Sequence, residues 1–338
     1  MGLREELHEA ILNRIKSGEK DVLEGFYASR DLKESILAVL VAGRHLILEG
    51  PPGVGKTTLA KIIASLLPPA KVVEGCRYNC DPESPSCPDC KENKGKLKAI
   101  TMLGKERFVR VQGSPELMPE DLVGDMDPVM AMRHGIKDPR AFTPGKIQKA
   151  HRKILFIDEL NRVPERTQST LLQVLEEGIT TVAGFDIEVK VDTLVIATQN
   201  PEEYAGAERV SETLSDRFEH IKIGYPSEDH EIEILNRYAK KMPGVRVPGD
   251  LIPKIVRISQ ITRAHQKIIR PASVRASIST YEQAQALALL NNRKVVEKND
   301  VEKAAIVSLA GRIELSLDEE YESRDETLKQ IIEEVLIP

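Results

Sequence analysis

The fold class predicted by this chain is a parallel α/β sheet covered by helices on both faces, followed by a helical domain. Three observations predict it. Apolar runs of strand length alternate with helical patterns from His45 to about Ile223, the rhythm of consecutive βαβ units. From Ser227 onward the strand signal vanishes, and helical segments follow one another between Pro, Gly and Asn. Residues 50–57 read GPPGVGKT, a complete GxxxxGKT phosphate loop placed directly between an apolar run and a helical pattern. A length of 338 residues allows about two domains, each with its own core. The boundary is placed at Tyr225-Pro226, giving a nucleotide-binding core over 1–225 and a helical domain over 226–338.

Taken in order, residues 1–40 read as helical, and His45–Leu48 is the first strand. The glycines of the loop let successive backbone N–H groups turn inward around a β-phosphate. Lys56 brings a point charge to the β and γ oxygens, and the Thr57 hydroxyl can ligate Mg²⁺. Gly50, Pro51, Pro52, Gly53, Val54, Gly55, Lys56, Thr57 and Thr58 are therefore the expected nucleotide cradle. Leu59, Ile62, Ile63 and Leu66 follow at i, i+3, i+4, i+7, so a helix starts at the loop with its N-terminal dipole toward the anion, and Leu67-Pro68-Pro69 stops it.

Further strands are expected at Phe108–Val111, Ile154–Ile157, Leu194–Thr198 and His220–Ile223, and helices around 232–239, 252–265, 273–290, 300–309 and 326–336. Two stretches interrupt the rhythm. Residues 71–106 form a charged insertion holding every cysteine. Gly178–Val191 reads as a hairpin, with strands Ile179–Val182 and Ile187–Val191 around Ala183-Gly184-Phe185-Asp186. Disorder is expected at the termini and in residues 115–145, which are rich in Pro, Gly and Met.

Aromatics make up 4% of the chain and Trp is absent, so the core rests on Ile, Leu and Val. No stretch approaches the ~18 apolar residues of a membrane span. The N-terminus is charged from Arg4 onward and lacks an apolar signal core, which reads as a cytosolic protein. Lys and Arg total 48 against 53 Asp and Glu, a net charge of −5 with both signs scattered, which argues against a dedicated nucleic-acid binder.

A phosphate loop binds nucleotide but does not by itself hydrolyse it, so a strand ending in acid is needed downstream. Ile154-Leu155-Phe156-Ile157-Asp158-Glu159 is such a strand. Its apolar residues bury it in the sheet and its two carboxylates emerge at the C-terminal edge, where ligands of open α/β sheets sit. Asp158 is expected on the Mg²⁺ shell, with Glu159 positioning or activating the attacking water. The next strand runs into Gln199-Asn200-Pro201, where an amide is placed either to hydrogen-bond that water or simply to form a turn before Pro. Arg217, whose only local acidic partner is Asp216, reads either as a surface ion pair or as an arginine finger supplied to a neighbouring subunit.

These motifs together resemble the AAA+ ATPases, and within them the MoxR group and the I subunit of magnesium chelatase. The resemblance is carried by residues 109–119 (VRVQGSPELMP), 121–124 (DLVG), 142–145 (FTPG), 157–162 (IDELNR) and 197–201 (ATQNP), and it covers about residues 30–315. It implies an αβα core followed by a helical lid. It also implies that Asn200 is sensor 1, that Arg217 is the trans-acting finger, and that Arg275 is the sensor 2 arginine of the lid, with Arg263 and Arg270 close by in sequence. Gly178–Val191 is then the hairpin inserted before the sensor 1 strand. The chain departs from the family at Glu202–Thr213, where Glu208 and Arg209 have no assigned role, and at Gly25–Ser29, so adenine contacts are not assigned.

Cys76, Cys80, Cys87 and Cys90 lie in one short window, spaced x3, x6 and x2. Two close pairs around a short loop suit tetrahedral thiolate coordination of a structural Zn²⁺, which would hold together a segment too small to bury a core. Two disulfides and an iron–sulfur cluster are the other readings of four thiols in a short run.

The resemblance implies an ATP-driven motor using Mg²⁺, assembled as a ring, expected as a hexamer, in which Arg217 of one subunit completes the site of the next. It further implies a partner with a von Willebrand factor A domain, and a client protein or chelatase subunit as the object of the work. A DNA translocase is the second reading, but the expected hairpin tip carries Asp186, with Glu188 beside it and Lys190 the only nearby base. A nucleotide switch without hydrolysis is the third, and the presence of Glu159 and Asn200 argues against it.

Overall fold

The computed structural model describes residues 2–135, 138, 141–181, 188–200, 210–316 and 324–336. The chain divides into two compact units, one of residues 1–50 and 55–223, the other of residues 51–54 and 224–338.

The first unit is built on five strands, β1 (His45–Glu49), β2 (Phe108–Gln112), β3 (Lys153–Asp158), β4 (Thr193–Gln199) and β5 (Phe218–Lys222). They lie in the order β5-β1-β4-β3-β2, and every neighbouring pair is parallel. Most strands run a residue or so beyond their apolar stretch, because polar end residues extend the ladder, whereas β5 starts two residues before its own, at the core residue Phe218, and ends one residue before Ile223. Leu46, Ile47 and Leu48 are fully buried, as are Ile154, Leu155 and Phe156. Covered on both faces, such strands read as unbroken apolar runs rather than alternating ones. Ile47, Leu155, Ile157, Val195 and Ala197 face a core shared with Leu160, Leu171 and Val174.

Helices α1 (Leu3–Lys16), α2 (Arg30–Val41), α3 (Lys56–Leu66) and α4 (Glu165–Glu177) belong to this unit. The Ser29 hydroxyl accepts from the Leu32 N–H at 3.3 Å and caps α2, while Gly178, at φ 64°, ends α4 in a left-handed turn that favours glycine. Arg107, just before β2, is completely buried. Its guanidinium pairs with Glu6 of α1 at 2.5 Å and donates to the carbonyls of Pro68 and Arg152, both at 2.9 Å. One side chain thus ties α1, the exit from α3 and the entry to β3 together.

The interrupting stretches have structure of their own. In the insertion, Ala70–Val73 pairs antiparallel with Ala99–Met102, and a short helix spans Pro88–Glu92. Residues 115–145, expected to be disordered, hold helices at Pro119–Val123 and Pro128–His134 and a two-strand pair, Asp125–Met126 with Phe142–Thr143. Hydrogen bonds made by Gln148 organise this part: fully buried, it accepts from the Gly145 N–H at 3.0 Å and donates to the Val123 carbonyl at 2.6 Å. Ile179–Thr181 and Glu188–Lys190 pair antiparallel as the two arms of the expected hairpin. Its tip, Ala183-Gly184-Phe185-Asp186, lies outside the described residues.

The second unit packs α5 (Glu228–Tyr238), α6 (Leu251–Ala264), α7 (Val274–Leu290), α8 (Lys298–Ala310) and α9 (Arg324–Leu336) around Leu235, Ile255, Val256, Val301, Leu309 and Ile332. Glu231, buried completely, receives Arg263 at 2.8 and 3.2 Å and the Ser277 hydroxyl at 2.6 Å, and the Arg263 guanidinium lies 4.3 Å from the centre of the Tyr225 ring. The expectation that this unit is all helical holds for its main elements and misses short extended pieces, one of them an isolated parallel bridge between Arg246 and Val295. Ile268–Arg270 and Glu314–Leu315 form a small antiparallel pair, invisible in the sequence because segments of two or three residues are too short to show a period. Among the described residues no helix is long and apolar enough to cross a membrane.

Candidate functional site

The phosphate loop leaves the end of β1 and enters α3 through Gly55, which sits at φ 95° as the N-cap. Gly50 is required by close approach: a Cβ there would stand 2.1 Å from the carbonyl oxygen of Ile223, which follows β5. The Lys56 ammonium donates to the Gly50 carbonyl, so the cation is folded back along the loop. Backbone turns that only glycine adopts, a helix N-terminus and an inward lysine are the parts a polyphosphate cradle needs, and Thr57 and Thr58 follow in the first turn of α3. Pro51–Val54 cluster with the second unit, where a Cβ at Gly53 would fall 2.7 Å from Ser273 and 3.8 Å from Cγ of Arg275.

Asp158 ends β3 with its side chain 16% exposed, and Glu159 follows with 36% exposed. Glu159 has φ 58° and ψ 56°, a left-handed conformation rare for a non-glycine residue and found where surrounding contacts enforce it. Those contacts come from both neighbouring strands. The Thr198 hydroxyl of β4 donates to Asp158 Oδ1 at 2.7 Å and accepts from the Glu159 N–H at 2.9 Å. From β2, Gln112 Nε2 donates to Glu159 Oε2 at 3.1 Å, and Arg110 pairs with Asp158 Oδ2 at 2.6 Å. Gly113 packs so closely that a Cβ on it would meet the Glu159 carbonyl at 2.1 Å, and its N–H donates to the Asp158 carbonyl at 2.7 Å. Arg162 completes the shell at 3.1 Å from Glu159 Oε2.

None of Arg110, Gln112, Gly113 or Thr198 is singled out as a site residue by sequence reasoning. The signal that finds them is strand register, which pairs Gln112 with Asp158 across β2 and β3. A second network lies at the head of the loop, where Glu49 accepts from Gln199 at 2.9 Å and contacts His220 Nδ1 at 2.6 Å, joining β1, β4 and β5.

Asn200 directly follows β4 and is half-buried. Arg217, directly before β5, has more partners than the local sequence offers: besides Asp216 at 2.7 Å it reaches Glu176 of α4 at 2.5 Å. Arg275 is exposed in the first turn of α7, and among the described residues it makes no hydrogen bond or ion pair. The neighbouring candidates are engaged, Arg263 with Glu231 and Arg270 with Glu314 at 3.5 Å.

The four cysteine sulfurs lie within 4.8 Å of one another, and all are free thiols. Cys80, Cys87 and Cys90 are buried, and with Val73, Tyr78 and Leu97 they form the small core of the insertion. Backbone N–H groups aim at the sulfurs: Tyr78 at Cys76 (3.4 Å), Cys87 at Cys80 (3.3 Å) and Cys90 at Cys87 (3.4 Å). Hydrogen bonds from Cys76 and Cys87 pull the Cys80 thiol far below its ordinary range, while Cys87 is pushed up by its hydrogen bonds to Cys76 and Cys80. At these separations a thiolate on one sulfur opposes a second thiolate on its neighbours, a repulsion that a central cation relieves.

A phosphate loop on β1 and an Asp-Glu end on β3, in a sheet ordered β5-β1-β4-β3-β2, define a P-loop ATPase with an αβα core. Three family profiles match the chain: the ATPase family associated with various cellular activities at 93–220, the AAA lid domain at 260–335, and magnesium chelatase subunit ChlI at 28–79. A magnesium-chelatase subunit ChlI homolog of Methanocaldococcus jannaschii is 27% identical, over 86% of this chain and 84% of that one. Chaperone MoxR1 of Mycobacterium tuberculosis is 28% identical, over 94% and 78%. In fold, a point variant of RuvB from Thermotoga maritima superposes with a TM-score of 0.51 at 18% identity, over 85% of this chain and 72% of that one. The chain belongs to the AAA+ ATPases, in the group of the MoxR proteins and the chelatase I subunits.

Proposed function

We propose that this ATPase is the motor of a ring assembly that remodels a client protein or drives metal insertion, working with a partner that carries a von Willebrand factor A domain. The observation that carries the hydrolytic part is the clamp on Glu159. Its backbone is held left-handed by Thr198 and Gly113 and its carboxylate by Gln112, at the sheet edge where the phosphate loop also emerges. In this reading the loop N–H groups and Lys56 bind the phosphates, and Thr57 and Asp158 hold Mg²⁺, which when bound neutralises developing charge on the phosphates. Glu159 takes the proton of the attacking water, Asn200 orients that water, and Arg275 and a neighbour's Arg217 face the γ-phosphate.

The four cysteines, in the same reading, hold a structural zinc: they offer four soft ligands, three of them buried, with N–H donors already directed at the sulfurs. A role of the hairpin in gripping DNA has less support, since its described second strand, Glu188–Lys190, sets one acid beside one base and offers no basic run.

The test of the hydrolytic assignment is Glu159→Gln. ATP binding should persist while turnover falls at least ~10²-fold, the scale of a lost general base. A variant that turns over at the wild-type rate refutes the assignment.

A further inference from the structure

Strand β2 is the edge of the sheet, paired on one side with β3 and on the other with no strand among the described residues. Along it opens a groove of about 430 Å³ that takes Phe108, Val109 and Arg110 from β2 itself. Its other lining comes from Arg77 and Asn79 of the cysteine-bearing insertion, from Lys146 and Lys149 of the helix Lys146–Lys149, and from Lys153 at the start of β3. Five cations therefore line the groove and no carboxylate does. Arg110 is engaged with Asp158, but Arg77, Lys146, Lys149 and Lys153 have no acidic side chain within ion-pair distance among the described residues. Lys153 is half-buried, and desolvation lowers the pKa of its ammonium, with Glu106 opposing and Arg107 adding to the shift. The cluster stands out in a chain of net charge −5, where both signs are otherwise interspersed.

Two chemical demands meet in this groove. The cations, Arg77, Lys146 and Lys149 among them exposed, set up a positive potential that favours an anion, and the strand edge presents alternating N–H donors and C=O acceptors. A phosphodiester backbone answers the first demand and, having acceptors only, leaves the strand carbonyls unmatched. An extended polypeptide answers both, with its amides pairing to β2 and its carboxylates reaching the lysines. From the free edge and the unpaired cations together we propose that this groove receives an extended acidic segment of a partner polypeptide, added as a further strand beside β2.

The test measures binding of a fluorescein-labelled peptide of alternating Glu and Thr to the full chain by anisotropy. Binding should weaken about tenfold or more in Lys146→Glu/Lys149→Glu. It should weaken comparably in Arg77→Glu, which perturbs a different part of the chain, with thermal melting and basal ATP turnover unchanged in both. Methylating alternate backbone nitrogens of the peptide preserves its charge and should also cost about tenfold. Equal binding of the methylated peptide removes strand addition, and an oligothymidylate of equal charge that binds as tightly moves the groove to nucleic acid. Indifference to both charge reversals overturns the proposal outright. Because turnover is read separately, failure here leaves the hydrolytic assignment standing, and full activity in Glu159→Gln leaves this one standing.

Discussion

Glu159 owes its position to three residues, Gln112, Gly113 and Thr198, that lie far from it in the chain. Gln112, Gly113 and Thr198 do fall inside the motifs at 109–119 and 197–201 that carry the family resemblance, but their role as supports of the acid exists only once β2, β3 and β4 are in register. His45 is a second case. It opens β1, is buried, accepts from the Val195 N–H at 3.0 Å, and lies 2.8 Å from the Arg4 guanidinium. Burial, then the charge of Arg4, lowers its pKa from 6.5 to about 3. The unfolded chain takes up this proton near pH 6.5 and the native state only near pH 3, so the unfolded state binds more protons between them and stability falls as pH drops through that window. The loss should reach a few kcal/mol, since each pH step of one across the window costs about 1.4 kcal/mol. Urea denaturation between pH 7 and 4 should show the decline, and His45→Asn should flatten it.

At the scale of elements, the five strands are legible as short apolar runs between turn and helix signals, and the loop helix and the main lid helices by their length and helical spacing of apolar residues. The strand pair of the insertion, the small elements within 115–145 and the short strands of the second unit are not, since their formation depends on contacts distant in sequence. Arg107 belongs to the illegible class: one arginine among many, it links α1 to β2 only through its burial against Glu6. Arg107→Met should cost ~3–5 kcal/mol in chemical denaturation, because it leaves half of a buried ion pair without its partner. Adding Glu6→Met should recover most of that loss, and additive costs would show that the pair is not what matters. The clustering of the four cysteines is legible from spacing alone, and the zinc proposed for it has a direct check: purified protein should contain about one equivalent of zinc, and chelation should loosen residues 71–106 to proteolysis while leaving the sheet intact. Folded, metal-free protein would remove zinc from the account.

At the scale of the whole molecule, the proposed sharing of sites between subunits turns on Arg217. Within one chain it is bound to Glu176 and Asp216, so service to a neighbour requires exchanging those partners for a phosphate. An exposed pair of this kind is worth ~0–1 kcal/mol, too little to hold the arginine back. Arg217→Ala and Lys56→Ala should each abolish turnover alone, and mixing them should restore a fraction of it, since mixed neighbours pair an intact loop with an intact finger. Absence of any recovery would place Arg217 in its own subunit's site or outside catalysis. The strand order carries a separate consequence for synthesis. β1 is hydrogen-bonded only to β4 and β5, so Leu46, Ile47 and Leu48 leave the ribosome long before either partner exists. At ~5–20 residues per second that interval is on the order of ten seconds, during which the strand carrying the phosphate loop is an unpaired apolar segment and the natural target of a nascent-chain chaperone.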